Sequence, residues 1–279
     1  MRNFTFKGLF LAVVFIVLGS LSIQAADGLI TKQITIKLDE AGTLPNKIGS
    51  TKKFQITNLK IIGEINGRDL QMIREMAGKD VRGNDTDGML SVLDLSDAKI
   101  VEGGGYNING FYYPTSNDKI GDNAFCDCSG LTSLTLPSDV TEIGNAAFEG
   151  CSGLTSLTLP SGVAKIGDYA FHGCSGLTSI YVYTEKLPNM GSDVFDGCDA
   201  KKCTVYVPKG TYDDYWLSEF GYFENIVEFD PTGINNVITS NDAKELSRYS
   251  VNGQRLSAPT KGLNIVKYSD GSVKKVAVQ

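Results

Sequence analysis

The sequence predicts a repeat solenoid: a right-handed stack of parallel strands, about six rungs long with few helices, followed by a small antiparallel β module. Three observations carry that expectation. Segments 120–142, 143–165 and 166–188 align without a gap. Phe125, Phe148, Phe171 and Phe195, and likewise Cys128, Cys151, Cys174 and Cys198, recur in steps of 23, 23 and 24 residues. Each unit also holds a short alternating run such as Leu154-x-x-Leu157-x-Leu159, closed by Pro160. Alternation gives a strand with one apolar face, and proline ends it because it has no N–H for a ladder. One unit cannot bury its own apolar side, but stacked units bury Leu on Leu and Phe on Phe.

Taken in order, the chain begins with Arg2 and Lys7, an apolar run from Gly8 to Leu18, and small residues leading to Ala25. That arrangement predicts a signal peptide over 1–25, cut after Ala25 or Ala26. The run is too short for a comfortable transmembrane span. Residues 26–230 form the predicted solenoid with its caps. Ile56-x-x-Leu59-x-Ile61 and Leu90-x-x-Leu93-x-Leu95 read as degenerate rungs before the regular ones. Between them, Asp69 to Ala77 reads as a helix with Leu70, Ile73, Met76 and Ala77 on one face. Val205-Tyr-Val-Pro208 repeats the strand and its proline, and the aromatic stretch Thr211–Phe229, with Trp216, is expected to cover the last rung. Residues 231–246 are polar and read as a linker. Residues 247–279 contain Asn252-Gly253 and Asp270-Gly271 between alternating runs, the pattern of β-hairpins.

Charge narrows the choice of function. Removing Arg2 and Lys7 from the 26 basic residues leaves 24 against 32 acidic ones. An acidic mature chain is a poor match for phosphate, so nucleic acid is excluded as the main partner. From Ser247 onward there are six basic residues and a single acid, Asp270, a composition shift that marks the tail as separate.

The repeated unit IG-x-x-AF-x-GC-SGLTSL-x-LP has a period inside the leucine-rich-repeat range of roughly 20–29 residues. Over about residues 55–210 the chain resembles the BspA-like leucine-rich-repeat family. The resemblance implies an exported protein of host-associated bacteria, at the cell surface or secreted, acting in adhesion, and it carries no catalytic residues. The tail RYSVNGQRLSAPTKGLNIVKYSDGSVKKVAVQ is similar to C-terminal sorting domains of the type IX secretion class. That likeness implies engagement of secretion machinery and delivery to the exterior of the outer membrane, with the periplasm as the alternative.

No enzyme is predicted. His172 is the single histidine and shares its repeat position with Cys126, Glu149 and Asp196, a position that accepts varied polar side chains. No Gly-rich phosphate loop, HExxH or GxSxG pattern occurs, and no cofactor or metal is expected. Rungs about 4.8 Å apart leave disulfides geometrically open to the four stacked cysteines. Their place beside phenylalanine reads instead as small, buried, reduced packing residues; zinc is disfavoured because ladder positions give no tetrahedron.

Two candidate binding surfaces remain. The outward columns of the strands read Asn58/Lys60, Val92/Asp94, Ser133/Thr135, Ser156/Thr158, Ser179/Tyr181 and Thr204/Tyr206. The hydroxyls suit both strand propensity and binding; Tyr181 and Tyr206 join apolar area to a hydrogen-bonding tip and are the better candidates. The second is the insertion Glu102–Asp118, which carries Tyr106, Phe111, Tyr112 and Tyr113. These four either meet a ligand or fold back over the first regular rung. The partner expected is a host or matrix protein; the alternatives are a carbohydrate or a structural role in the envelope.

Overall fold

The computed structural model describes residues 28–184, 186–230, 245–250, 255–256, 258, 261–268 and 273–278. The expected signal peptide, most of the linker and the Asn252-Gly253 and Asp270-Gly271 turns lie outside the described residues. Two units divide at Glu228 and Phe229.

In the first unit an eight-stranded sheet runs in the order Ile34–Leu38, Asn58–Ile65, Val92–Ile100, Ser133–Thr135, Ser156–Leu159, Ser179–Val182, Thr204–Pro208, Asn225–Phe229. The first seven are parallel neighbours. Register keeps like on like: Ile34 pairs with Leu59, Leu59 with Leu93 and Leu93 with Leu134, and Leu157 pairs with Ile180 and Ile180 with Val205. All of these but Ile34, at the open edge, are buried. The protein is thus a repeat solenoid, one rung longer at its N-terminal end than the sequence reading expected. Ile34–Leu38 supplies the extra rung.

The return path of each repeat makes a second parallel sheet of two-residue strands, Lys119–Ile120, Glu142–Ile143, Lys165–Ile166 and Asn189–Met190. Between the sheets the phenylalanines stack. Ring centroids are 5.4 Å apart for Phe125–Phe148, 5.2 Å for Phe148–Phe171 and 5.8 Å for Phe171–Phe195, all within 11° of parallel. Burying each ring contributes roughly 1.5–3 kcal/mol. The rungs approach so closely at the Ser-Gly pairs that a Cβ on Gly153 or Gly176 would strike the carbonyl oxygen of Ser129 or Ser152. The glycine of the second and third SGLT is therefore a packing requirement, whereas Gly130 in the first meets nothing nearer than 3.5 Å.

The turns carry a directional ladder. Asn123, Phe125 and Asp127 donate backbone N–H to the carbonyls of Asn145, Ala147 and Glu149, and the next turn repeats this onto Asp168, Ala170 and His172. Every turn therefore donates toward the C-terminus. The first regular turn consequently shows three carbonyls, Asp122, Ala124 and Cys126, with no preceding regular turn to serve them. The solenoid closes this end with side chains. Buried Arg74, from the helix Gly67–Met76, donates through Nη1 to Cys126 O at 3.0 Å and Ala124 O at 3.3 Å, and also to Asn123 O at 3.1 Å. The Tyr106 hydroxyl donates to Asp122 O at 2.7 Å. At the other end the cover is apolar: Phe220 and Phe223 both sit 5.1 Å from Phe195 and are fully buried.

That helix is anchored by a capping box. Asn66 accepts from Arg68 N, and the buried Asp69 carboxylate accepts from the backbone N–H groups of Asn66, Gly42 and Leu44. The second unit is an antiparallel sheet in the order Arg255–Leu256, Glu245–Ser250, Gly262–Tyr268, Val273–Val278, with buried Val266 opposite Arg248.

Candidate binding face

Because the inner positions of each strand fill the core, the alternate positions face outward in fixed columns. Asn58, Val92, Ser133, Ser156, Ser179 and Thr204 stand in one. Thr35, Lys60, Asp94 and Thr135 begin a second, which continues through Thr158, Tyr181 and Tyr206.

The second column changes chemistry along its length. Near the N-terminal end Lys60 Nζ lies 2.9 Å from Asp94 and 2.7 Å from Asp97. A register shift between the Asn58–Ile65 and Val92–Ile100 strands brings Asp97 there, and hydrogen bonds to Asp97 and Asp94 raise the Lys60 pKa. The middle is hydroxyl. Ser156 and Ser179 are 3.0 Å apart, whereas Ser133 and Thr135 are exposed. Thr132, Thr155 and Thr178, one residue before each column, spend their hydroxyls on carbonyls of the preceding rung at 3.0 Å and are structural.

At the C-terminal end Tyr181 and Tyr206 stack, centroids 4.6 Å apart and planes within 7°. Both are half-buried. Tyr183, just past the end of the Ser179–Val182 strand, is also exposed. Ile226 of the neighbouring edge strand packs on the core, and Val227 next to it is exposed. The outer face thus ends in an aromatic platform made of the two stacked rings, Tyr181 and Tyr206, that the sequence singles out.

The insertion is not an irregular loop. Gly105–Ile108 and Phe111–Pro114 form a hairpin turning at Asn109-Gly110, both with positive φ, 51° and 84°. Tyr106 corrects an expectation: it is wholly buried and cannot meet a ligand, because its hydroxyl is committed to Asp122 O. Burial also pushes its phenol pKa well up, so it stays a donor. Tyr113 is half-buried and stacks on Tyr106 at 5.6 Å. Phe111 and Tyr112 remain exposed, 69% and 59%, near the hairpin tip. Of the four residues, two therefore stay free to meet a partner and one seals the first rung.

Cys128, Cys151, Cys174 and Cys198 are buried free thiols, as are the other cysteines apart from half-buried Cys126. Their S–H groups serve the ladder: Cys151 donates to Phe125 O at 3.1 Å and Cys174 to Phe148 O at 3.2 Å. Burial pushes the Cys128 thiol up to about 11 and those of Cys198 and Cys203 up to about 12, which opposes thiolate chemistry. His172 lies 3.7 Å from Glu149 and 3.9 Å from Asp196, beyond hydrogen-bonding range, on the half-exposed variable position. Among the described residues no group of three or more His, Cys, Asp and Glu could hold a metal ion. No helix among them is long and apolar enough to cross a membrane.

Fold and face together define a repeat solenoid with an open strand face. Residues 104–215 match the BspA type leucine rich repeat region, in 6 copies. Repeats of this family point to protein interaction, are generally non-enzymatic, and are typical of bacterial surface proteins. A crystal structure of a leucine-rich repeat protein from Bacteroides ovatus ATCC 8483, at 1.19 Å resolution, is similar with 25% identity and a TM-score of 0.39. That similarity covers 63% of this chain and 43% of the other, so the match spans under half of that protein. Comparison with curated proteins gives no match.

Proposed function

We propose that this is a non-enzymatic, exported recognition protein that binds a host or matrix protein at the bacterial surface through the outer face of its strands. The observation that carries the reading is the Tyr181–Tyr206 stack, held in register by the sheet and left half-open to solvent. Tyrosine anchors dominate protein interfaces because they bury large area with little loss of side-chain entropy. Here the stack and the strand backbone already fix both rings, so binding has less ordering to overcome. Ser179 and Thr204 flank them with hydroxyls, and the Lys60–Asp94–Asp97 group at the far end sets orientation more than affinity.

Export rests on the signal-peptide pattern over 1–25, and delivery to the exterior on the tail over 247–279. A chain lacking 247–279 is expected to remain in the periplasm.

The test of recognition is surface plasmon resonance of the full chain over immobilised extracellular-matrix proteins, with a Tyr181→Ala/Tyr206→Ala variant alongside. Loss of two anchors should weaken saturable binding at least ~30-fold. Binding that stays within twofold, roughly 0.4 kcal/mol, would remove the tyrosine platform from the account.

A further inference from the structure

The hairpin and the start of the second sheet enclose a cleft of about 220 Å³, and none of the outer-face residues lines it. Tyr113 forms its aromatic side. One part of that ring rests on Tyr106, 5.6 Å away and within 16° of parallel, and Tyr106 is itself pinned by its bond to Asp122 O. The remaining polar lining comes from Ser116, Lys119, Asp122 and Glu142, with Gly144, itself buried, at the base between them.

The charges here are already balanced. Lys119 and Lys165 reach the two oxygens of Glu142 at 2.8 and 2.9 Å, and both bonds hold that carboxyl below its ordinary range. Asp122 Oδ1 accepts the backbone N–H of Asn145 at 2.8 Å. Lys119, Asp122 and Glu142 line the cleft and Lys165 offsets the second carboxylate from outside the lining, so a strongly ionic ligand gains no net attraction. The space is also smaller than the roughly 300–1,000 Å³ of drug-sized sites, enough for one ring. A fixed aromatic side, donors and acceptors in near-neutral balance, and an open mouth are together the requirements of a polyhydroxylated ring that continues into solvent.

We propose that this cleft binds one residue of a neutral glycan, its C–H face on Tyr113 and its hydroxyls on Asp122, Glu142 and Lys119. The site is independent of the tyrosine platform and stands or falls separately from it.

Saturation-transfer NMR on the full chain tests this, using the methyl glycosides of glucose, galactose, mannose, fucose and N-acetylglucosamine, with N-acetylneuraminic acid as the anionic comparison. Transfer to at least one neutral glycoside is expected. It should weaken about tenfold in Tyr113→Leu, which loses a ring–sugar contact of ~1.4 kcal/mol, and persist in Tyr113→Phe. Glu142→Gln, which removes a hydroxyl acceptor near the surface, should weaken it too, and serves if Tyr113→Leu does not fold. The Tyr181→Ala/Tyr206→Ala variant should bind as the parent does. No transfer to any neutral glycoside at on the order of 10 mM would overturn the proposal. So would a preference for the anionic sugar, or binding unchanged in both Tyr113→Leu and Glu142→Gln.

Discussion

Two aromatic stacks run along the same strands and turns, one inside and one outside. Phe125, Phe148, Phe171 and Phe195 are fully enclosed at spacings of 5.2 to 5.8 Å, whereas Tyr181 and Tyr206 stack in the same parallel manner at 4.6 Å and are half-buried. Stacking itself is therefore no mark of function in a solenoid; it follows from period and register. Exposure is what differs. The inner stack is fixed by burial energy and cannot change without cost, while the outer column passes from Lys60 through Thr135 to Tyr206 with no consequence for the core. A face free to vary yet held rigid is suited to recognition.

The largest effect that would break this contrast lies inside. Phe148→Ala empties the middle of a four-ring column and should cost about 3–5 kcal/mol, read as a lowered thermal midpoint. An unchanged midpoint would mean the stack is not the core.

Alkaline pH loads the same interior. An unfolded thiol ionises near 9.0, but Cys128 does so only at about 11 and Cys198 and Cys203 at about 12. Between those values the unfolded chain has shed protons that the folded chain keeps, so stability falls as pH rises. Stability should be level up to about pH 8 and drop steadily above pH 9, with the loss reduced when Cys128 is replaced by alanine. Melting curves at graded pH measure it.

The polar end of the inner ladder comes next. Arg74→Met leaves three carbonyls without its guanidinium and should cost about 3 kcal/mol. Tyr106→Phe removes one buried hydroxyl bond, so about 1–2 kcal/mol is expected from denaturant unfolding. If neither moved stability, the end of the ladder would not need closing. Outside, Tyr181→Ala with Tyr206→Ala should change stability by less than ~1 kcal/mol.

The period made the inner stack legible from sequence, since Phe and Cys at steps of 23 and 24 leave few other arrangements. The outer columns followed once the strands were placed. Ile34-x-Ile36-x-Leu38 carried a readable alternation and was missed because no repeat unit surrounds it. Asn109-Gly110 was likewise the hairpin signal already recognised in the tail, here hidden inside what looked like a loop. Tyr106 is a different case. Its burial depends on which carbonyls the first turn leaves unserved, and that follows from the direction of a ladder formed by residues 16 and more positions away. The strands of the second sheet are two residues long, too short for any pattern to show.

The most direct test is a side-chain oxidation footprint of the full chain alone and in complex with whichever matrix protein it binds. The account predicts that Tyr181 and Tyr206 lose reactivity in the complex while Phe111, Tyr112 and Trp216 keep theirs. Protection of the hairpin or of Trp216, with the Tyr181–Tyr206 platform as reactive as before, would contradict it.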